Sequence, residues 1–244
     1  MSVITFASTK GGAGKTTSAI ILASVLSKHH DVTVIDTDPA KRLMSWSEKA
    51  TLPMRLNVIA SGGERDIHDE IELAHKVSDY VIIDLEGAAT RLNAFAMGES
   101  DLVVVPMGDE QPDAEGAIET LAQLALEARN MRREIPVRIL FTRTQAAVKS
   151  RMAKSLNQQV RDKIGSFSTE LHARTAFSSL HNMGGTLYDM DPLLVGGLEK
   201  ALGNAELFAE ELKMVMRCIH QLREQHGKKT SLKEKLGARH VTKA

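Results

Sequence analysis

Short apolar, β-branched runs alternate along the chain with longer stretches whose apolar positions recur at helical spacing. Val3 to Ala7, Val32 to Ile35, Tyr80 to Ile83, Leu102 to Pro106 and Val137 to Phe141 are runs of four to five residues. Runs of this length and composition predict strands buried on both faces. Between them, Thr16 to Lys28 carries Ala19, Ile20, Leu22, Ala23, Val25 and Leu26, and Ala114 to Met131 carries Ile118, Leu121, Ala122, Leu124, Ala125 and Ala128. Both are helical stripes. Strands separated by helical crossovers predict an α/β fold, a mostly parallel β-sheet with helices on both faces, with ligands at the carboxyl ends of the strands.

After Phe141 the pattern is less regular. It predicts a polar helix from about Ala147 to Ile164, a strand at Phe167 to Leu171 and a loop around Gly184-Gly185, with Gly196-Gly197 ending another turn. From Leu198 to Gln225 the period is helical again, through Leu202, Leu207, Phe208, Leu212, Val215, Met216, Ile219 and Leu222. Beyond Gly227 apolar residues are too sparse to offset ordering entropy. The organisation expected is one domain over 1–226 and a basic, mobile tail over 227–244.

At 244 residues, 43% hydrophobic and 25% charged, the chain has the composition of an average globular protein, which excludes collagen-like and largely disordered classes. Its longest apolar runs fall well short of the ~20 residues of a membrane span. No charged-then-apolar leader is visible and Cys218 is the only cysteine, so a reducing cytoplasm is expected and a four-thiolate cluster within one chain is excluded. Nine histidines form no zinc-binding pattern.

The net charge of zero conceals an uneven distribution. The span 92–128 carries a net −8 without a single Lys or Arg, the span 129–174 carries +8, and the tail from Gly227 adds +5. One face of such a molecule suits a polyanion.

The first strand runs directly into Lys10-Gly11-Gly12-Ala13-Gly14-Lys15-Thr16-Thr17 and then a helix. Strand, glycine loop and helix make a phosphate cradle: backbone N–H groups of Gly11, Gly12, Ala13, Gly14 and Thr17 surround the anion beside the helix N-terminus. Lys15 reaches the β- and γ-phosphates and Thr16 offers a hydroxyl to Mg²⁺. The generic P-loop has Gly five positions before Gly14, where this chain has Thr9, and a second lysine, Lys10, opens the loop.

Lys10 to Thr17 resembles the deviant Walker A motif of the ParA/MinD family of ATPases. Val34-Ile35-Asp36-Thr37-Asp38-Pro39 resembles that family's Asp-x-Asp-Pro element, and Asp79-Tyr80-Val81-Ile82-Ile83-Asp84 resembles its Walker B strand. The resemblance runs from Met1 to about Gln225 and is nearest to small plasmid-type ParA partition proteins, with the first strand opening the chain and no helix-turn-helix extension before it.

The resemblance implies a P-loop NTPase with ATP and Mg²⁺ as cofactors. Lys10 would reach the nucleotide of a partner subunit, Lys15 would hold phosphate, Asp38 would orient the attacking water, and Asp36 and Asp84 would join Thr16 around Mg²⁺. The carboxylates also suit loop and helix capping, Asp38 before Pro39 in particular. Leu85-Glu86-Gly87-Ala88 departs from the proline-rich turn of many relatives. Trp46 lies in a helix that resembles one of small ParA and conjugation-associated proteins, or is simply packed in a core. Arg174 is similar in place to a DNA-contacting arginine, or is a solvated surface residue; Arg151 and Lys154 lie in the same basic span. Thr142-Arg143-Thr144 occupies the place where relatives contact the base.

The function implied is a slow, partner-stimulated ATP hydrolase. It would form an ATP-dependent homodimer, bind DNA without sequence preference, respond to a ParB-like partner and position plasmid DNA, being nucleoid-associated when ATP-bound. The alternatives are a conjugative DNA-transfer ATPase of the same family and a MinD-like membrane-cycling regulator. The tail's three large apolar residues, Leu232, Leu236 and Val241, make a poor membrane face, so no stable membrane association is expected.

Overall fold

The computed structural model describes residues 2–145 and 151–241, with side chains throughout except at 151–153 and 226–241. In chain order the elements are β1 (Ser2–Phe6), α1 (Lys15–Leu26), β2 (Val32–Asp36), α2 (Arg42–Ser47), β3 (Leu56–Ala60), α3 (Ile67–Val77) and β4 (Tyr80–Asp84). They continue with α4 (Arg91–Glu99), β5 (Leu102–Met107), α5 (Gln111–Asn130), β6 (Val137–Thr144), α6 (Arg151–Lys163), β7 (Leu171–His172), α7 (Thr175–Met183), a 3₁₀ turn (Leu187–Asp189) and α8 (Leu198–Val241).

Among the described residues seven strands form one sheet in the order β3-β2-β4-β1-β5-β6-β7, and every pairing is parallel. Alternate residues of each strand feed two separate cores. Ile4, Phe6, Val34, Ile82 and Val104 pack against α1, α7 and α8, while Val3, Ile35, Val81, Ile83, Val103 and Val105 pack against α3, α4 and α5. Helices on both faces explain why the strands read as unbroken apolar runs. Helix α1 is itself covered by α7 and α8, so its apolar residues surround it rather than form one stripe.

Strand order reverses direction at β1, which has β4 on one side and β5 on the other. The crevice beyond its carboxyl end is where open parallel sheets bind ligands.

Several elements differ from the sequence expectation. Of the expected strand at Phe167 to Leu171 only Leu171 pairs as a strand, in a two-residue β7 that runs on to His172, with a single bridge from Ser166 to Ile139 before it. The cause is Glu211, whose carboxylate accepts the amides of Ser168 and Thr169 and takes them out of the ladder. Strand β3 lies at the sheet edge, half exposed, and its pattern is correspondingly weak. Helix α8 continues through the segment expected as a tail, as far as Val241. Residues 146–150, at the start of the expected polar helix, and 242–244 lie outside the described residues. Among the described residues no helix is long and apolar enough to cross a membrane.

Candidate functional site

The loop after β1 turns because Gly12 and Gly14 adopt left-handed backbone angles, φ 76° and 100°. Gly14 caps α1, and a β-carbon there would also meet Thr142 at 3.4 Å. A side chain at this position would be strained by the backbone conformation. Thr142 Oγ1 donates to the Ala13 carbonyl at 2.8 Å, tying β6 to the loop. Around this loop opens a cavity of about 770 Å³ lined by Gly11 to Ser18, Asp38, Arg42, Gly87, Thr142, Arg143 and residues 171–175, 177, 178 and 181. The expected phosphate-binding residues are thus brought together at the switch point of the sheet.

Lys15 is buried and its Nζ donates to the Ser8 carbonyl at 3.2 Å. Burial lowers its pKa, an effect opposed by the charges of Asp84 and Asp38. Asp84, at the end of β4, is fully enclosed, and burial raises its carboxyl to about 7 against the stabilising hydrogen bond from Thr16. Its Oδ1 is buried without a hydrogen-bond partner among the described residues. An orphaned carboxylate oxygen beside a threonine hydroxyl and a phosphate loop is a donor set that fits Mg²⁺, a hard cation taking oxygen ligands.

Asp36 and Asp38 divide their work differently from the expectation. Asp36 Oδ1 accepts the Asp38 amide at 3.0 Å, and Oδ2 accepts the amides of Leu43 and Met44, each at 3.0 Å. It is therefore Asp36, and not Asp38, that caps α2. Burial raises the pKa of Asp36, with these amides acting in opposition. Asp38 Oδ1 accepts the Ala40 amide at 2.8 Å and Oδ2 pairs with Arg42 at 3.2 Å. Pro39 lies ahead of the helix, which starts at Arg42 after Lys41 in the left-handed region. Asp38 lines the cavity and Asp36 does not.

Lys10 points away from the phosphate cradle. Its Nζ lies 2.5 Å from Asp113 Oδ1, on a carboxylate only 3% exposed, and Arg143 approaches the same carboxylate at 3.4 Å. Thr9, the departure from the generic loop, supplies the seam: its amide donates to Thr120 Oγ1 at 3.0 Å and its hydroxyl to the Gly116 carbonyl at 3.1 Å. These bonds lay Lys10 along α5, where a β-carbon on Gly116 would stand 2.8 Å from that of Lys10.

Among the described residues, the basic span does not form one free cationic face. Arg133 donates to the carbonyls of Gly98 and Ser100, Arg161 pairs with Glu170 and stacks over Phe141, and Arg143 is held by Asp113. Arg174 is half-buried at the cavity wall and donates to Asn204 Oδ1 at 3.3 Å, so it is no plain surface arginine. Lys154 is exposed on α6, and the side chain of Arg151 lies outside those described. Trp46 is a packed residue, 1% exposed, with its Nε1 donating to the Gly185 carbonyl at 3.0 Å.

Three residues in or beside the pocket have roles that a reading of the sequence does not give. Asp113 sits within the acidic run and has no motif of its own. Thr142 depends on β6 reaching the loop. His181 shares a 2.7 Å hydrogen bond between its Nε2 and Thr17 Oγ1, its pKa lowered by burial and by Lys49 and Arg42.

The family model described as VirC1 protein matches residues 1–191. The chain is similar to "Protein ParA" of Rhizobium radiobacter, with 32% identity over 211 residues covering 86% of this chain and 95% of that one. In fold it is similar to an ATP complex of McdA from Cyanothece (TM-score 0.71, 18% identity, 87% of this chain and 96% of that chain). It is similar also to the MinD cell division protein of Aquifex aeolicus (TM-score 0.66, 18% identity, 87% and 97%). With a glycine loop at the switch point of an all-parallel sheet, these matches show that the chain belongs to the ParA/MinD family of P-loop ATPases, with relatives called ParA and VirC1.

Proposed function

We propose that the protein is a Mg²⁺-dependent ATPase that dimerises on binding ATP and, as a dimer, holds DNA without sequence preference to position it. The observation that carries this reading is the pair of lysines on one loop with opposite orientations. Lys15 lies buried in the cradle, whereas Lys10 lies at its rim, its side chain 32% exposed. One subunit's phosphates need only the first. The second is placed to serve a facing copy.

In this reading Lys15 neutralises the β- and γ-phosphates, with the loop amides from Gly11 to Thr17 completing the cradle. Thr16 and Asp84 hold Mg²⁺, which when bound offsets phosphate charge. Asp36 supports that site by fixing α2 beneath Asp38. Asp38, on the cavity wall and paired with Arg42, orients the attacking water. Hydrolysis is slow without a ParB-like partner to complete the site.

DNA is held through phosphate contacts by exposed cations of the basic span, of which Arg129, Arg132, Lys154 and Lys163 are exposed. Arg151 belongs to the same set by position, and the helical extension of α8 adds an auxiliary basic arm. Arg174, at the cavity wall, contributes to DNA binding only if dimerisation turns it outward.

The deciding experiment measures DNA binding and mass in solution with ATP, with ADP and without nucleotide. The expected result is a dimer and DNA binding with ATP alone, equal on unrelated sequences. Binding that ignores nucleotide would overturn the reading. The match to a VirC1 family model, beside a ParA relative, favours one second reading, a DNA-transfer ATPase. A marked preference for one transfer-origin sequence would select it.

A further inference from the structure

The loop that follows Asp84, Leu85 to Thr90, carries no proline, and Gly87, Ala88 and Ala89 are exposed. Such a segment has little of its own to hold one shape. Yet it reaches the active pocket: Gly87 lines the cavity, and a β-carbon there would stand 3.4 Å from Lys15 Nζ and 3.6 Å from the Gly11 amide nitrogen. That is the end of the cradle where Lys15 meets the β- and γ-phosphates.

One side chain closes this loop. Asn93, in the first turn of α4, is 5% exposed. Its Nδ2 donates to the carbonyls of Glu86, at 3.2 Å, and Ala88, the two residues that flank Gly87. Its own amide is capped by Thr90 Oγ1 at 3.2 Å, which fixes the start of the helix that carries it. The Oδ1 of Asn93 is buried without a partner among the described residues. Burying an unpaired acceptor is costly, and an apolar residue of the same size would avoid that cost. The amide is therefore held by what its two hydrogens do.

We infer that Asn93 is a positioning residue that holds Gly87 against the γ-phosphate end of the pocket and thereby sets the preference for ATP over ADP. The inference rests on the nucleotide reading above. ADP lacks the γ-phosphate, the group this inference sets against the loop, so its binding draws chiefly on the cradle. ATP meets the loop, and without Asn93 that loop must be ordered at the expense of ATP affinity.

The test compares Asn93→Leu with Asn93→Ala in the full chain, using ADP and a non-hydrolysable ATP analogue with Mg²⁺. Leucine keeps the volume and removes the orphaned oxygen, so it preserves the fold while breaking both bonds to the loop. The expected result is a loss of about tenfold in affinity for the ATP analogue, with ADP affinity unchanged. Equal losses for both nucleotides, or no loss for either, would overturn the inference. A wild-type protein that binds neither nucleotide would instead overturn the proposed function. Should neither variant fold, exchange of the Asn93 side-chain amide in the wild type decides: it is expected to be at least about tenfold slower than that of exposed Asn130. Equal exchange would sink the clamp.

Discussion

Lys10 Nζ and Asp113 Oδ1 stand 2.5 Å apart, across 103 positions of sequence, and Arg143 waits on the same carboxylate at 3.4 Å. A buried anion with two cations can release one and keep the other. This makes the pair a cis resting place for a lysine expected to act in trans. Lys10→Ala should leave the ATP affinity of the single subunit within about twofold while abolishing the ATP-dependent dimer. Asp113→Asn, which frees Lys10, should raise dimer yield at limiting ATP by about fivefold. Sedimentation at a series of ATP concentrations reads both. An equal loss of dimer in the two variants would assign the pair to the fold of α5 instead.

Lys15 and Asp38 face the same cavity with different tasks. Lys15→Ala should weaken ATP binding by at least about a hundredfold, since it removes a buried charge from the phosphates. Asp38→Ala should bind ATP almost normally and hydrolyse it at least about a hundredfold more slowly, accumulating as a dimer. Wild-type turnover in Asp38→Ala would show that water is oriented elsewhere.

Asp84 stores a conflict between folding and metal binding. Its carboxyl, raised to about 7 by burial, favours the folded state while protonated, and that contribution is lost as pH rises through 7. Nucleotide-free Asp84→Asn should therefore be more stable than wild type at pH 8, by about 1–2 kcal/mol, with the gain shrinking toward pH 5. Mg²⁺-dependent ATP binding should move oppositely, weakening in the wild type as pH falls below 7 and absent in the variant. Denaturant melts at the two pH values check the first half. A gain that grew toward acid would contradict the sign.

DNA binding separates exposed from engaged cations. Lys154→Ala should flatten the slope of log K against log salt by about 0.9, the signature of one phosphate contact. Arg174→Ala should change nucleotide affinity as well, because Arg174 lines the cavity. If Arg174→Ala altered the salt slope and left nucleotide binding intact, it would be a DNA contact after all.

Trp46→Phe tests the packing of α2 beneath the site. It keeps most of the buried ring and leaves the Gly185 carbonyl unpaired, for an expected loss of about 1–3 kcal/mol. Thermal melts read it directly, and an unchanged midpoint would mean that water replaces the indole.

What could be read from the sequence followed the range of the interactions. Strands β1, β2, β4, β5 and β6 are buried on both faces, so their apolar runs announce them. Edge strand β3 and two-residue β7 leave no such run. The phosphate loop is local, and its spacing alone assembles Gly14, Lys15 and Thr16. The position of Asp36 was legible in the same way, but its capping of α2 was not, since that depends on where Leu43 and Met44 return to the strand end. Asp113 and the tie from Thr142 to the loop were silent because both act on residues brought near only by the completed sheet, whereas Asn93 acts across seven positions or fewer and simply has no motif to mark it.

That β1 lies mid-sheet bears on the order in which the molecule can be made. The phosphate loop leaves the ribosome before the strands that flank β1 in the sheet, since Ser2 pairs with Tyr80 and Ile4 with Leu102. Its walls arrive later still, with Thr142 and the residues after β7. At roughly 5–20 residues per second, a nascent chain spends seconds holding a complete binding motif and no binding site. Nucleotide can capture the protein only after synthesis has passed β6, so ATP acts on the finished domain and cannot guide its early folding.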